Sequence, residues 1–149
     1  QLPTKVKDET ILRGTVMTNL DEMCEWARKD GSLEDNDQLN LTKVSDVVGD
    51  KNVAGVFDHW DYVDDTDTEN DHLPDIDFYL AMTGDYIIRI RGDVTVERGD
   101  LLMSAGDGTA MPQEDDIIRS KTIAKVTSTS RTIEYPDGSY CVPCVLMAC

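Results

Sequence analysis

The residue types best suited to chemistry sit at the end of the chain, in YPDGSYCVPCVLMAC, where Cys141 and Cys144 lie three apart and Cys149 follows. Two thiols at that spacing are the pattern of a zinc knuckle or a redox pair. A strand, however, turns neighbouring side chains to opposite faces, so residues an odd number apart diverge and cannot grip one metal without a tight turn between them. Zinc would also need partners, and the only histidines, His59 and His72, fall in an acidic stretch far upstream. The reading that follows is a Pro-Asp-Gly turn over Tyr135 to Gly138, then a strand from Ser139 to Met147 whose small thiols are buried as modest hydrophobes. Pro143 lacks a donor and points to an edge or a bulge in that strand.

A second cluster is acidic. Between Lys51 and Arg89 there is no Lys or Arg, while Asp58, Asp61, Asp64, Asp65, Asp67, Glu69, Asp71, Asp75 and Asp77 accumulate. Asp64, Asp65, Asp67, Glu69 and Asp71 offer hard oxygen ligands, of which calcium takes about six to eight. An EF-hand also needs a Gly and a Glu at fixed later positions, and reading from Asp64, Asp65 or Asp67 does not supply both. Residues 58–77 therefore read as a solvated acidic loop, with calcium binding at those five carboxylates as the alternative and no other cofactor expected. No Ser-His-acid signature, Gly-x-Ser-x-Gly elbow, Walker loop, dinucleotide fingerprint or His-Glu-x-x-His motif occurs. Asn40-Leu41-Thr42 is a formal glycosylation acceptor, meaningful only in a eukaryotic secretory setting.

These residues must be positioned by a chain of 149 residues, one domain's worth. Thirty acids against fourteen bases give a formal charge of −16, which repels phosphate backbones and anionic membranes. Neither nucleic-acid binding nor membrane insertion is expected, and no apolar run approaches the roughly 18 residues of a span. Three of the four cysteines lie in the last nine residues, so a disulfide framework is not indicated and a reducing assembly compartment is favoured. The first residue is Gln1, as in a processed chain, a cropped one or the C-terminal part of something longer.

The elements read as mainly β, in short strands of a barrel- or sandwich-like module, with one short α-helix near residues 19–29. Apolar residues at 20, 23, 24 and 27, Asn19 as an N-cap and Glu22 three residues on carry the helix, which Asp30-Gly31 ends. Beyond it, YIIRIRG and DVTVERGD alternate, LLMSAGDGTAM is two strands around a Gly-Asp-Gly turn, and KTIAKVTSTS, RTIEY and YCVPCVLM follow. Residues 1–18 form an N-terminal extended segment, with a bend at Gly14, and residues 19–149 a single β-rich domain containing the acidic loop.

Two stretches carry a resemblance. The block from Gly84 to Ser128, with Gly99 to Leu102, Gly106 to Gly108, Ile118 to Ser120 and Ile123 to Val126 in order, resembles the C-terminal region of bacteriophage tail-fibre and appendage proteins. The run TNLDEMCEWARKDG, with Glu22, Glu25, Trp26, Asp30 and Gly31 followed by VAGV at 53–56, is similar to the intramolecular-chaperone autoproteolytic domain of phage neck appendages. That family cuts a Ser-Gln bond just before its acidic run, assisted by the Asp that opens the run. Here Thr15-Val16 stands in place of Ser-Gln, and Asn19 in place of the Asp. A neutral amide cannot take the hydroxyl proton, and Asp21, two residues along a helix, points away from position 19.

The resemblance implies a structural virion protein: the C-terminal trimer-forming or capping domain of a fibre or appendage, assembled in the host cytoplasm, not catalytic, with other virion proteins and a host-surface receptor as partners. One alternative is a self-cleaving chaperone using Glu22 and Asp21, and another a calcium-dependent receptor or glycan-binding tip built on Asp58 to Asp77. Trp26, Phe57, Trp60, Phe78 and Tyr79 are the aromatics expected in the core or at subunit contacts, and Arg89 and Arg91 are candidates for pairing with carboxylates across an interface.

Overall fold

The computed structural model describes residues 1–4, 7–61 and 77–148, with the backbone alone for Trp26 and Ala27. Its strands are β1 (Val16–Ala27), β2 (Leu33–Val44), β3 (Val53–Trp60), β4 (Phe78–Ala81), β5 (Thr83–Ile90), β6 (Leu101–Ser104), β7 (Ala110–Pro112), β8 (Ala124–Val126), β9 (Ile133–Glu134) and β10 (Tyr140–Met147). The protein is mainly β.

The C-terminal strands pair in the order β5-β7-β6-β8-β10, and β10 returns to β5 from Tyr140↔Ile90 to Met147↔Thr83, closing a five-stranded barrel. Closure pairs both sides of each strand, which removes the open edges that would otherwise template aggregation. The alternation in these segments directs Ile88, Ile90, Leu102, Ala124, Val126, Val142, Cys144 and Leu146 inward, where each is at most 2% exposed. The Gly106-Asp107-Gly108 turn joins β6 to β7, with Asp107 Oδ1 accepting from the Thr109 N–H at 3.0 Å. The Pro-Asp-Gly turn joins β9 to β10, closed by the Gly138 N–H donating to the Tyr135 carbonyl at 3.0 Å. Pro143 lies in a strand with neighbours on both sides, not at an edge. Its missing donor falls in the gap between the β9 pairing at Cys141↔Ile133 and the β8 pairing at Cys144↔Val126.

The other sheet, ordered β2-β1-β3-β4, lies against the barrel. In the β1–β3 pair, Val16 and Val56 face one another in register and belong to the barrel core. Their neighbours Met17 and Phe57 belong to a second cluster with Leu2, Ile11 and Trp60, against which Val44, Phe78 and Leu80 pack. The β1–β3 pair is thus a wall shared by two cores. Phe57, Trp60 and Phe78 meet at ring-centroid distances of 5.2 to 5.6 Å, in edge or tilted geometries that the aromatic quadrupole favours.

The helix expected near residues 19–29 is not formed: β1 runs through that region as one arm of a long antiparallel ribbon with β2. The physical reason lies in the register. Irregularities between Asn19 and Met23 and between Met23 and Glu25 shift the face that each residue presents, so the apolar spacing no longer follows the period of two. Asp30-Gly31 is the hairpin turn of this ribbon, with Asp30 Oδ1 accepting from the Ser32 N–H at 2.9 Å and the Arg28 N–H donating to the Ser32 carbonyl at 2.8 Å. The strand read in DVTVERGD is also absent. Residues 93–100 are irregular, although Val94 and Val96 pack against the barrel core.

Candidate functional site

The peptide bond that the sequence singles out, Thr15-Val16, lies where the chain crosses from the aromatic cluster to the barrel. Residue 14 makes the crossing. Its N–H donates to the Phe57 carbonyl at 2.8 Å, and its own carbonyl accepts from the Arg89 N–H at 3.0 Å, so β3 and β5 are bridged through one residue. Gly14 has φ +85°, and a Cβ there would stand 3.0 Å from Cys141 Sγ and 3.1 Å from the Arg89 nitrogen, which together call for glycine.

Thr15 and Val16 are 1% and 0% exposed. The Thr15 carbonyl accepts from the Phe57 N–H and the Val16 N–H donates to the Gly108 carbonyl, both at 2.8 Å. The Thr15 hydroxyl accepts from Arg89 Nη1 at 3.3 Å. A guanidinium carries only donors and does not deprotonate in proteins, so it cannot serve as the base that hydroxyl would need. Asn19, Asp21 and Glu22 are exposed farther along β1. At about 3.3 Å per residue, Asp21 and Glu22 stand roughly 20 to 23 Å along the strand from Thr15. The structure does not bring these candidates together.

Around the same crossing, Arg89 donates through Nε to Ser139 Oγ at 2.8 Å and pairs with Asp137, and its side chain is only 12% exposed. Arg91 pairs with Asp93 at 2.8 Å. Both arginines therefore find carboxylates within their own chain. The Tyr135 hydroxyl donates to the Arg13 carbonyl at 2.8 Å, and the Cys141 thiol to the same oxygen at 3.5 Å. Cys144 joins Val142 and Leu146 in the barrel core while Cys141 packs against Gly14, so the two thiols project from opposite faces of β10. Burial pushes Cys141 up to about 11, and burial, with the neighbouring Cys141, pushes Cys144 up to about 12. Thiols so held protonated are poor nucleophiles and poor metal ligands.

A polar network that sequence reasoning missed lies beside this crossing. A register shift between Phe57 and His59 sets Asp58 so that it accepts from both the Tyr86 hydroxyl and His59 Nδ1, the latter at 3.1 Å. Arg13 Nε donates to the Tyr86 hydroxyl at 3.0 Å and lies 3.5 Å from Asp58 Oδ1. Burial raises the Asp58 carboxyl, but the hydrogen bonds from Tyr86 and His59 and the Arg13 charge outweigh it, leaving Asp58 below the ordinary aspartate range. Burial, then donation to Asp58, holds the Tyr86 phenol above its usual value. No local pattern announces this arrangement, because Arg13 and Tyr86 are far apart in sequence and Asp58 reads as part of an acidic run.

A groove of about 520 Å³ lies between the β1–β2 ribbon and β4. Asn19, Asn36, Gln38 and Asn40 line one side, Phe78, Tyr79, Leu80 and Met82 the other, and Gln1, Asp61 and Asp77 also contribute. The Tyr79 ring stacks on His59 at 4.7 Å between centroids and is 51% exposed, unlike the buried Phe57 and Trp60. The Trp26 side chain lies outside the described residues.

The calcium candidates Asp64, Asp65, Asp67, Glu69 and Asp71 likewise lie outside the described residues. Among the described residues, no group of three or more His, Cys, Asp or Glu side chains is placed to hold a metal ion. Comparison of the chain with models of protein families, with curated proteins and with solved structures returns no match.

Proposed function

We propose that this chain is a structural virion domain, the trimer-forming or capping C-terminal module of a phage fibre or appendage, and that it does not cut itself. The observation that carries the reading is the state of the Thr15-Val16 peptide, buried on both sides, hydrogen-bonded at its carbonyl and its N–H, and faced by Arg89 rather than by a base. Attack on that carbonyl would break the Phe57 bond inside a packed wall, and the group that the structure places on the Thr15 hydroxyl is the Arg89 guanidinium, which cannot accept a proton. Its resemblance to phage appendage proteins supplies the virion context.

Homotrimer formation is supported by the surface. Leu33, Leu39, Val47, Val48, Tyr79, Met82, Ile117 and Ile118 are all more than half exposed, an apolar load that symmetric association would cover. The test pairs two masses. The denatured chain is expected as one intact species, and the native assembly, in chelator, as three copies. Two fragments meeting between Thr15 and Val16 would overturn the non-cleaving reading, and a monomer would overturn the trimer.

A further inference from the structure

We propose that the outer end of the β1–β2 ribbon of one copy seats Leu33 in a cleft of the next copy, between the start of β3 and residues 118–123, with Asp35 against Lys51. The proposal rests on the assembly reading above and names the contact that builds it.

The cleft has a volume of about 350 Å³, in the range of small binding sites and large enough for a leucine side chain. Val53, Ile123 and Met147 give it an apolar lining, and Ile118 on its rim is 67% exposed. Its charged lining is Lys51 and Arg119, and none of the described residues that form it carries a carboxylate. Arg119 is held by Asp115 at 2.7 Å, which leaves Lys51, exposed, as the cation offered to a partner. A cleft that is apolar within and cationic at its edge, in a chain of net charge −16, suits an apolar side chain flanked by carboxylates.

Such a segment stands at the end of the ribbon. Leu33 is 62% exposed and, with Ile118, is one of the two most exposed large apolar side chains among the described residues. It opens β2 opposite Ala27, and the pairing runs without a break through Glu34↔Trp26 to Asp35↔Glu25. Asp35, two residues on, therefore shares the face of Leu33, while Glu34 turns to the other face and pairs with Arg28 at 2.9 Å. Leu33 and Asp35 thus present an apolar group and a carboxylate side by side, the complement of Ile118 and Lys51.

One copy cannot make this contact with itself. Val53 lies opposite Thr18 in β1 and Leu33 opposite Ala27, a separation of roughly 30 Å along the strand at about 3.3 Å per residue. The two surfaces are also different, so the contact is head-to-tail, and a head-to-tail contact repeated by rotation generates a ring. A homotrimer is such a ring, in which each copy gives one ribbon end and receives another.

The test is sedimentation velocity of the intact chain over a range of concentrations, for the parent, Lys51→Glu, Asp35→Lys, Leu33→Ser and the double variant Lys51→Glu with Asp35→Lys. All three positions are exposed, so far-ultraviolet circular dichroism is expected to be unchanged. Each single substitution is expected to weaken association by about tenfold or more, and the double charge reversal to recover most of that loss. Lys125→Glu, an exposed cation outside the cleft, is the control and is expected to leave association as it is in the parent. A parent that stays monomeric at every concentration would overturn the assembly reading and this contact with it. A parent trimer that the single substitutions leave intact, a double variant no tighter than the singles, or equal weakening by Lys125→Glu would overturn the contact and leave the trimer standing.

Discussion

Gly14→Ala tests whether the crossing between the two sheets is as tight as the structure draws it. Two costs add. A left-handed residue with a Cβ is strained by about 1 to 2 kcal/mol, and Gly14 sits at φ +85°. The new methyl would also stand 3.0 Å from Cys141 Sγ and 3.1 Å from the Arg89 backbone nitrogen. The Arg89 N–H is bonded to the Gly14 carbonyl and cannot retreat without loosening β5, so crowding adds about 1 to 2 kcal/mol. Alanine recovers about 0.4 to 1 kcal/mol by restricting the unfolded chain. The expected net loss is about 1 to 4 kcal/mol, or roughly 2 to 14 °C in melting temperature for a chain of this size.

Gly84→Ala is the control, since Gly84 has φ +89° with nothing within 4 Å of a Cβ, and strain alone should cost about 1 kcal/mol. Urea unfolding followed by tryptophan fluorescence reads both. A third measurement isolates the sulfur. In a Cys141→Ala background, Gly14→Ala should cost about 1 kcal/mol less than in the parent, because one of its two close neighbours is gone. Equal losses for Gly14→Ala and Gly84→Ala would refute the reasoning.

Two further predictions concern titration. Cys144 is raised to about 12 and Cys141 to about 11 in the folded chain, so their contribution is complete below the unfolded thiol value and is lost as pH rises from about 9 through the folded values. Urea midpoints across that range should fall less steeply for Cys144→Ala than for the parent, and native thiols should resist maleimide until the chain unfolds. Asp58 moves the other way. Its folded pKa is lowered, so its contribution is present above the unfolded aspartate value of about 4 and is lost as pH falls through the folded value. Tyr86→Phe, which removes a donor to Asp58, should cost about 1 kcal/mol at neutral pH and shift acid unfolding upward, as circular dichroism against pH would record.

Where the sequence was legible, one face of the segment met a core and its neighbours were regular. YIIRIRG, LLMSAGDGTAM and YCVPCVLM became β5, β6 with β7, and β10, because their alternation matches a barrel wall. The stretch 93–100 alternates for the same reason, with Val94 and Val96 on the barrel, but its N–H groups turn inward on the chain: Val94 to the Arg91 carbonyl and Asp100 to the Glu97 carbonyl, both at 3.1 Å. Alternation reports burial of a face, not the presence of a neighbouring strand. In β1 the reverse held. The strand is real, and its register irregularities erased the alternation and left a spacing that resembles a helical face. The Asp58 network and the groove were invisible because each depends on residues brought together by pairings that no local spacing encodes, such as Tyr79 opposite His59 and Asn40 opposite Met23.

The same pairings decide how self-cleavage has to be measured. If Thr15-Val16 were cut after folding, the upstream piece would not leave. Leu2 and Ile11 are 5% and 8% exposed in the aromatic cluster, the Gln1 carbonyl accepts from the Thr42 N–H at 2.8 Å, and Gly14 is bonded to both Phe57 and Arg89. Each buried aliphatic side chain contributes about 1.5 to 3 kcal/mol, enough together with the backbone bonds to hold a severed segment in place under native conditions. A native mass or an elution volume would therefore be the same for cut and uncut chains. Only the denatured mass separates them, and a single intact species there, beside a native mass of three copies, is the pair of results that the structural reading requires.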